Sequence, residues 1–213
     1  MLLFVILTIV GIGLTLYSQW KKHPILHGLG KTIASLAFLA AAIHQGALDS
    51  DYGLILLAAL ILCAVGDLAL IGRSKAFFLS GLVAFLLGHV GYVGLFIYVG
   101  LSLVHPSLMA GSLALLVVAA ISYFVYTKLS PHIPKEMVWP TRAYILVISV
   151  MVVAAWAVGS HPGFILLPVG ATLFYFSDLF VARDRYVSST ILNRCFGLPI
   201  YYAAQLFFAG SIP

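Results

Sequence analysis

The chain has 213 residues, of which 63% are hydrophobic and 8% are charged, and its mean hydropathy is +1.14. A soluble globular domain is about half apolar and about a quarter charged, so this composition predicts an integral membrane protein without a soluble catalytic domain. The eleven basic residues give a net charge of +5, but they are scattered among apolar runs and form no basic stripe. Nucleic-acid binding is therefore excluded.

Eight apolar stretches follow one another along the chain, each close to the roughly 20 residues that cross a hydrocarbon core. They predict membrane-spanning helices over residues 2–19, 29–45, 52–72, 77–100, 107–128, 141–159, 163–183 and 190–209. Barrel strands would alternate apolar and polar residues, whereas these stretches are apolar on every face. Because the connections between them are short, we expect an all-α polytopic bundle that forms one domain over residues 1–213.

The basic residues predict the orientation of the bundle. They all flank odd-numbered connections, at Lys21, Lys22, Lys31, Arg73, Lys75, Lys128, Lys135, Arg142, Arg183, Arg185 and Arg194. Basic connections stay in the cytoplasm, so both termini are expected on the non-cytoplasmic side. The first stretch has no basic residue before it and two lysines after it, which is unlike a signal peptide, so we expect this helix to be retained.

Two acidic residues, Asp67 and Asp178, lie within predicted spans. Inserting a carboxyl there costs about 2.5–3.5 kcal/mol or more, so each is a candidate functional residue. They precede the basic residues Arg73 and Arg183 by six and five positions, which predicts that both lie roughly 8–9 Å from cytoplasmic helix ends. The alternative is a structural role in which each carboxylate pairs with a Lys or Arg.

Other polar side chains accompany the two aspartates. Lys31 lies at a predicted cytoplasmic helix end, where its ammonium group either binds a phosphate or snorkels to the interface. His89 lies about 18 Å into the fourth span, deeper than both aspartates. Residues three positions apart share a helix face, which groups His89 with Tyr92 and Tyr202 with Gln205.

The sequence contains no nucleophile elbow, HExxH motif, P-loop or dinucleotide-binding glycine pattern. A zinc site made of His89, Asp67 and Asp178 is conceivable, but zinc prefers several His or Cys ligands. Cys63 and Cys195 form no CxxC pair. We therefore expect neither a metal nor an organic cofactor.

Two groups of residues carry a family resemblance through their order and spacing. The first comprises Gly66-Asp67-Leu68, Phe77, Gly81, Phe85, Gly88-His89 and Tyr92. The second comprises Gly170, Phe174, Ser177-Asp178, Ala182, Asn193 and residues 202–205, and Lys31 and residues 144–151 also fit. Together they resemble the signatures of the YhhN family of integral-membrane lysoplasmalogenases, over most of the chain.

The resemblance implies an enzyme that hydrolyses the vinyl ether bond of lysoplasmalogens to a fatty aldehyde and a glycerophospho-alcohol. Asp67 and Asp178 would be the catalytic pair. The surrounding polar residues would bind the substrate, namely Lys31, His89, Tyr92, Tyr144, Asn193, Tyr202 and Gln205. The implied partners are a lysophospholipid and the bilayer, in the cytoplasmic membrane of a bacterium or an endomembrane such as the endoplasmic reticulum of a eukaryote.

The chemistry of the bond suits two carboxyl groups. A vinyl ether is hydrolysed by proton transfer to its β-carbon, followed by capture of the resulting oxocarbenium ion by water. Two carboxyls buried together do not easily both ionise, so one would be the acid and the other, ionised, would stabilise the cation or orient the water. Asp67→Asn and Asp178→Asn are each expected to abolish turnover without loss of stability.

A second hypothesis assigns the same two aspartates to the proton relay of a transporter for lipids or small amphiphiles. Transporters often have broken helices at matching positions in two halves, and no such paired Gly/Pro interruptions are found. A scaffold would need an exposed partner-binding element, which the short connections do not offer. Hydrolysis in detergent distinguishes the first two hypotheses, because transport requires a sealed membrane.

Overall fold

The computed structural model describes residues 1–72 and 74–213. Arg73, one of the basic residues behind the predicted orientation, lies outside them. The long helices are α1 (Leu2–Lys21), α2 (Pro24–His44), α3 (Asp51–Ala69), α4 (Lys75–Ser102), α5 (Leu108–Leu129), α6 (Val138–Gly159), α7 (Leu166–Tyr186) and α8 (Ile191–Ala209). Two 3₁₀ turns, Ser130–His132 and Lys135–Met137, join α5 to α6. The predicted all-α bundle is confirmed over the described residues, which contain no strand.

Polar side chains begin several of these helices by accepting a hydrogen bond from an otherwise unpaired backbone N–H. Ser50, Ser74 and Ser107 do so for α3, α4 and α5. Helix α2 begins five residues earlier than predicted, because His23 accepts from the Leu26 N–H and Pro24 suits the first helical position.

Seven of the described helical segments are long and apolar enough to cross a membrane, and they contain α1 to α7. Helix α8 has 19 residues but includes Asn193, Arg194 and Gln205. It packs along α7 and also contacts α1, α2 and α3. The chain is therefore a multi-pass membrane protein whose last helix is more polar than the others.

The two ends of the bundle differ in character. The odd-numbered connections meet at one end, where Lys75 Nζ lies 3.3 Å from Glu136 Oε1. At the opposite end, the Ser107 N–H donates to the Ala157 carbonyl, joining α6 to the connection between α4 and α5. Met1 lies beside Gly210, so both termini are at that second end. The compartment that each end faces remains a prediction.

The helices enclose a core rich in aromatic side chains. Phe174 of α7 contacts the rings of Phe85, His89, Tyr92 and Tyr201. These contacts hold α4, α7 and α8 together. Helix α5 is the exception, because it packs mainly on α6 and buries few side chains of its own.

Candidate active site

A cavity of about 850 Å³ opens among the helices, and all eight contribute side chains to its wall. Its volume is in the range of small-molecule sites. Lys22, Arg185 and Ser189 line it near the odd-numbered connections, which places its mouth at the basic end of the bundle. Both intramembrane aspartates, Asp67 and Asp178, line this one cavity.

The two aspartates do not lie at equal distances from their helix ends, so that prediction is wrong. Asp67 precedes the end of α3 at Ala69 by two residues, about 3 Å, whereas Asp178 precedes the end of α7 at Tyr186 by eight, about 12 Å. The cause is that α3 ends at Ala69, three residues before the predicted end of that span, while α7 continues three residues past Arg183 to Tyr186. The cavity is wide enough for both carboxyls to reach it.

Asp67 is held by an ion pair and two further hydrogen bonds. Its Oδ1 lies 3.1 Å from Lys31 Nζ, and its Oδ2 accepts from Ser35 Oγ and Tyr201 OH, each at 2.8 Å. Lys31 Nζ also donates to the backbone carbonyl of Asp67 at 3.3 Å. Lys31 is 6% exposed and Asp67 2%, so the hypothesis that Lys31 snorkels to the interface is wrong.

Asp178 has a different environment. Its Oδ2 accepts a hydrogen bond from Tyr144 OH at 2.8 Å. Its side chain is 17% exposed, and it faces the cavity. Among residues 1–72 and 74–213, no Lys or Arg forms an ion pair with it. The two carboxyls thus share a cavity but differ in charge compensation.

His89 lies next to Asp178 but outside the cavity wall. Its Nε2 is 3.7 Å from Asp178 Oδ2, beyond hydrogen-bond distance. The ring is fully buried between Phe174 and Tyr144, with centroids 4.4 and 5.2 Å away. Within the described part of the chain neither ring nitrogen has a hydrogen-bond partner.

Three other residues predicted to bind substrate lie in the core rather than at the cavity. Tyr92 OH donates to Gln205 Oε1 at 2.6 Å, and both side chains are fully buried. Tyr202 OH donates to the backbone carbonyl of Lys31 at 3.5 Å. None of these side chains lines the cavity, although Tyr202 contacts two residues that do, Lys31 and Tyr201.

Asn193 lines the mouth of the cavity and orders the connection between α7 and α8. Its Oδ1 accepts from Arg183 Nη1 at 3.1 Å, and its Nδ2 donates to the Ser188 carbonyl at 2.7 Å. Its Nδ2 also donates to Asp184 Oδ1, while Asp184 Oδ2 pairs with Arg194. Asn193 is 2% exposed, so this network is its principal environment.

Two direct partners of Asp67, Ser35 and Tyr201, were not predicted from the sequence, although helical spacing indicates both. Ser35 follows Lys31 by four positions, which places the two on one face of α2. Tyr201 follows Asn193 by eight positions, two helical steps of four on the face of α8 that lines the cavity. The predicted tyrosine was its neighbour Tyr202, whose hydroxyl donates to the backbone carbonyl of Lys31.

The residues of the conceivable zinc site are not grouped as ligands. Among the described residues, no three His, Cys, Asp or Glu side chains come together as a bound metal would require. That a metal is unnecessary remains a prediction for experiment.

Comparison with known proteins gives matches over most of the chain. The model of the YhhN family matches residues 26–212. Lysoplasmalogenase TMEM86B of Mus musculus is 36% identical over 148 residues, which cover 70% of this chain and 58% of the relative. The protein of that name from Sus scrofa is 30% identical over 186 residues, covering 86% and 75%. The Homo sapiens protein is 34% identical over 158 residues, covering 74% and 63%.

The chain spans about three fifths of the length of the mouse and rat relatives, at 58% and 60%. No solved structure gives a significant match.

Proposed function

Because the chain belongs to the YhhN family, we propose that it is a membrane hydrolase that cleaves the vinyl ether bond of a lysoplasmalogen. The products are a fatty aldehyde and a glycerophospho-alcohol. The observation that carries the proposal is that two intramembrane carboxyls line one cavity, one of them ion-paired and the other without a cationic partner among the described residues. That difference allows one carboxyl to act as the acid while the other stays ionised.

Asp178 is the proton donor in this proposal. A carboxyl in an apolar site without a cationic partner is more stable when it carries its proton. Tyr144 donates a hydrogen bond to Asp178 Oδ2, so this contact orients the carboxyl. The Asp178 side chain is partly exposed to the cavity, which allows it to approach a bound substrate.

Asp67 is the ionised partner, because the Lys31 ammonium compensates its charge. A carboxylate has about four acceptor positions, and Lys31, Ser35 and Tyr201 occupy three. Asp67 also lines the cavity, so its charge acts on a molecule bound there. Asp67 can therefore orient the attacking water or stabilise the positive charge that develops on the substrate.

The reaction balances with these groups alone. Asp178 transfers its proton to the vinyl ether carbon that is not bonded to oxygen, which gives an oxocarbenium ion. Water bonds to the cationic carbon and returns a proton to the Asp178 carboxylate, so a hemiacetal forms. The hemiacetal then loses the glycerol oxygen as an alcohol and becomes the aldehyde, with one proton moved between the two oxygens.

The mouth of the cavity suits a phosphate head group. Lys31 was expected to meet that group, but its ammonium is bound to Asp67. Lys22 and Arg185 line the cavity near its mouth instead, with the Arg185 guanidinium over the Phe78 ring at 4.0 Å. We assign the head group to the cavity mouth beside Lys22 and Arg185.

Aldehyde release by the purified protein in detergent tests the proposal, with a lysoplasmalogen as substrate. The proposal expects aldehyde and glycerophospho-alcohol in equal amounts. A matched lysolipid with a saturated ether is the control, because it cannot form the oxocarbenium ion by protonation. If the protein released no aldehyde in detergent but, after reconstitution, moved the lipid across the membrane of sealed vesicles in response to a proton gradient, the transporter hypothesis would replace it.

A further inference from the structure

A second hollow lies on the membrane-facing side of α5 and α6. It measures about 480 Å³ and is lined mainly by apolar side chains, among them Leu115, Val118, Ala119, Leu146, Val153 and Ala157. We name it the α5/α6 groove. Several of these side chains are exposed on the outer surface of the bundle, so lipid chains can reach the groove from the bilayer.

The groove adjoins the reaction cavity, because the two spaces share part of their wall. Ser122 of α5 and Ile145 of α6 line both spaces. Ser122 Oγ lies 2.8 Å from Tyr175 OH at the reaction cavity and 3.1 Å from Ser149 Oγ at the groove. Because these hydroxyls are hydrogen-bonded to one another, a chain that lies beside them at the junction leaves none of them unpaired.

The length of the groove suits one hydrocarbon chain. From Ile145 to Ala157 the wall follows twelve residues of α6, about 18 Å at 1.5 Å per residue. One leaflet of the hydrocarbon core is about 15 Å deep. A chain that starts at the junction can therefore lie along the groove over most of its length.

The groove is polar at one end and mainly apolar along the rest, which matches the head group and chain of a lipid. Arg142 and Tyr126 lie at its end nearest the basic connections, where Arg142 Nε donates to Tyr126 OH at 2.7 Å. The remainder runs away from the cavity mouth between apolar side chains. A lipid with its head group at the mouth would place its ether bond in the cavity and its chain in the groove.

We propose that the α5/α6 groove binds the single hydrocarbon chain of the substrate and gives the reaction its dependence on chain length. This inference rests on the proposed function, because it takes the occupant to be the vinyl ether lipid. The aldehyde product keeps the same chain and leaves through the same groove into the bilayer.

Two adjacent alanines of α5 provide a matched test. Ala119 lines the groove and Ala120 does not, although both are exposed. Ala119→Phe should lower kcat/KM for a long-chain lysoplasmalogen by about tenfold or more, because the ring overfills the groove. It should leave unchanged the rate on a lysoplasmalogen whose chain ends before the junction, and Ala120→Phe should leave both rates unchanged. Equal losses on both substrates, or no loss on the long one, would overturn the proposal.

Photolabelling separates this proposal from the proposed function. The probe is a lysolipid with a saturated ether bond and a diazirine at the chain end, in detergent. We expect labelling of α5 and α6 residues in the groove, prevented by excess long-chain lysoplasmalogen and reduced by Ala119→Phe. If the groove is labelled, excess long-chain lysoplasmalogen prevents that labelling and no hydrolysis is found, the chain site is upheld and the hydrolase proposal is refuted. Hydrolysis with labelling elsewhere, or with labelling that competitor leaves unchanged, would refute the chain site.

Discussion

Asp67 and Lys31 carry opposite charges in a site that is almost closed to water. Removing one partner of such a pair leaves the other charge uncompensated, at a cost of about 3–5 kcal/mol. The expectation from sequence that both Asn variants are stable therefore needs revision for Asp67. Asp178 has no such partner in the described part of the chain, so Asp178→Asn is still expected to leave the stability of the protein unchanged.

Asp67→Asn should lower the unfolding temperature of the detergent-solubilised protein markedly, whereas Asp178→Asn should leave it nearly unchanged. Adding Lys31→Met to Asp67→Asn should recover much of the stability without recovering activity, since the unpaired cation is then absent. Thermal unfolding followed by circular dichroism measures both effects. Equal unfolding temperatures for the two single variants would contradict the assignment of a tight ion pair to Asp67.

His89 distinguishes acid catalysis from metal chemistry. It contacts Asp178 without lining the cavity, so His89→Ala should reduce activity less than Asp178→Asn does. His89→Phe keeps a ring against Phe174 and serves as the packing control. Exhaustive chelation should leave the rate unchanged. If chelation stopped turnover and zinc restored it, with His89→Ala as damaging as either aspartate variant, a metal site would replace the carboxyl pair.

At the scale of helices, the apolar stretches predicted all eight long helices but not how each is rotated about its axis. The predicted site tyrosine was Tyr202, whereas its neighbour Tyr201 donates a hydrogen bond to Asp67. One position turns a side chain by about 100° around the helix, and apolar residues on every face give little signal to fix that angle. The partner of Lys31 was missed for a related reason, because an ion pair between α2 and α3 depends on packing that a linear pattern does not encode.

The close approach of α1 and α2 positions Lys31 and Ser35. A Cβ on Gly11 would lie 2.6 Å from the Gly30 carbonyl oxygen, so only glycine allows this contact. Gly11→Ala should separate the helices, lower the unfolding temperature and reduce activity. Gly13 of the same helix has open space around it, so Gly13→Ala should be neutral or slightly stabilising through helix propensity. Thermal unfolding and aldehyde release measure the contrast, and equal effects at the two positions would contradict it.

At the scale of the whole molecule, the basic connections and the cavity mouth share one end of the bundle. The positive-inside rule places that end in the cytoplasm, so substrate would enter from the cytoplasmic leaflet. Tags at both termini should be accessible from the non-cytoplasmic side, and a tag between α5 and α6 from the cytoplasm. Protease protection in sealed vesicles measures this, and a cytoplasmic terminus would reverse the orientation.

The central claim is that Asp178 transfers a proton to a vinyl ether carbon within the shared cavity. The most direct measurement is hydrolysis of a lysoplasmalogen in D₂O, with immediate reduction of the aldehyde and mass spectrometry of the alcohol. The account predicts one deuterium on the carbon next to the former aldehyde carbon, and a rate for Asp178→Asn lower by about 10²–10⁴-fold. An aldehyde without deuterium at that carbon, or a folded Asp178→Asn variant with a rate near that of the wild type, would contradict it.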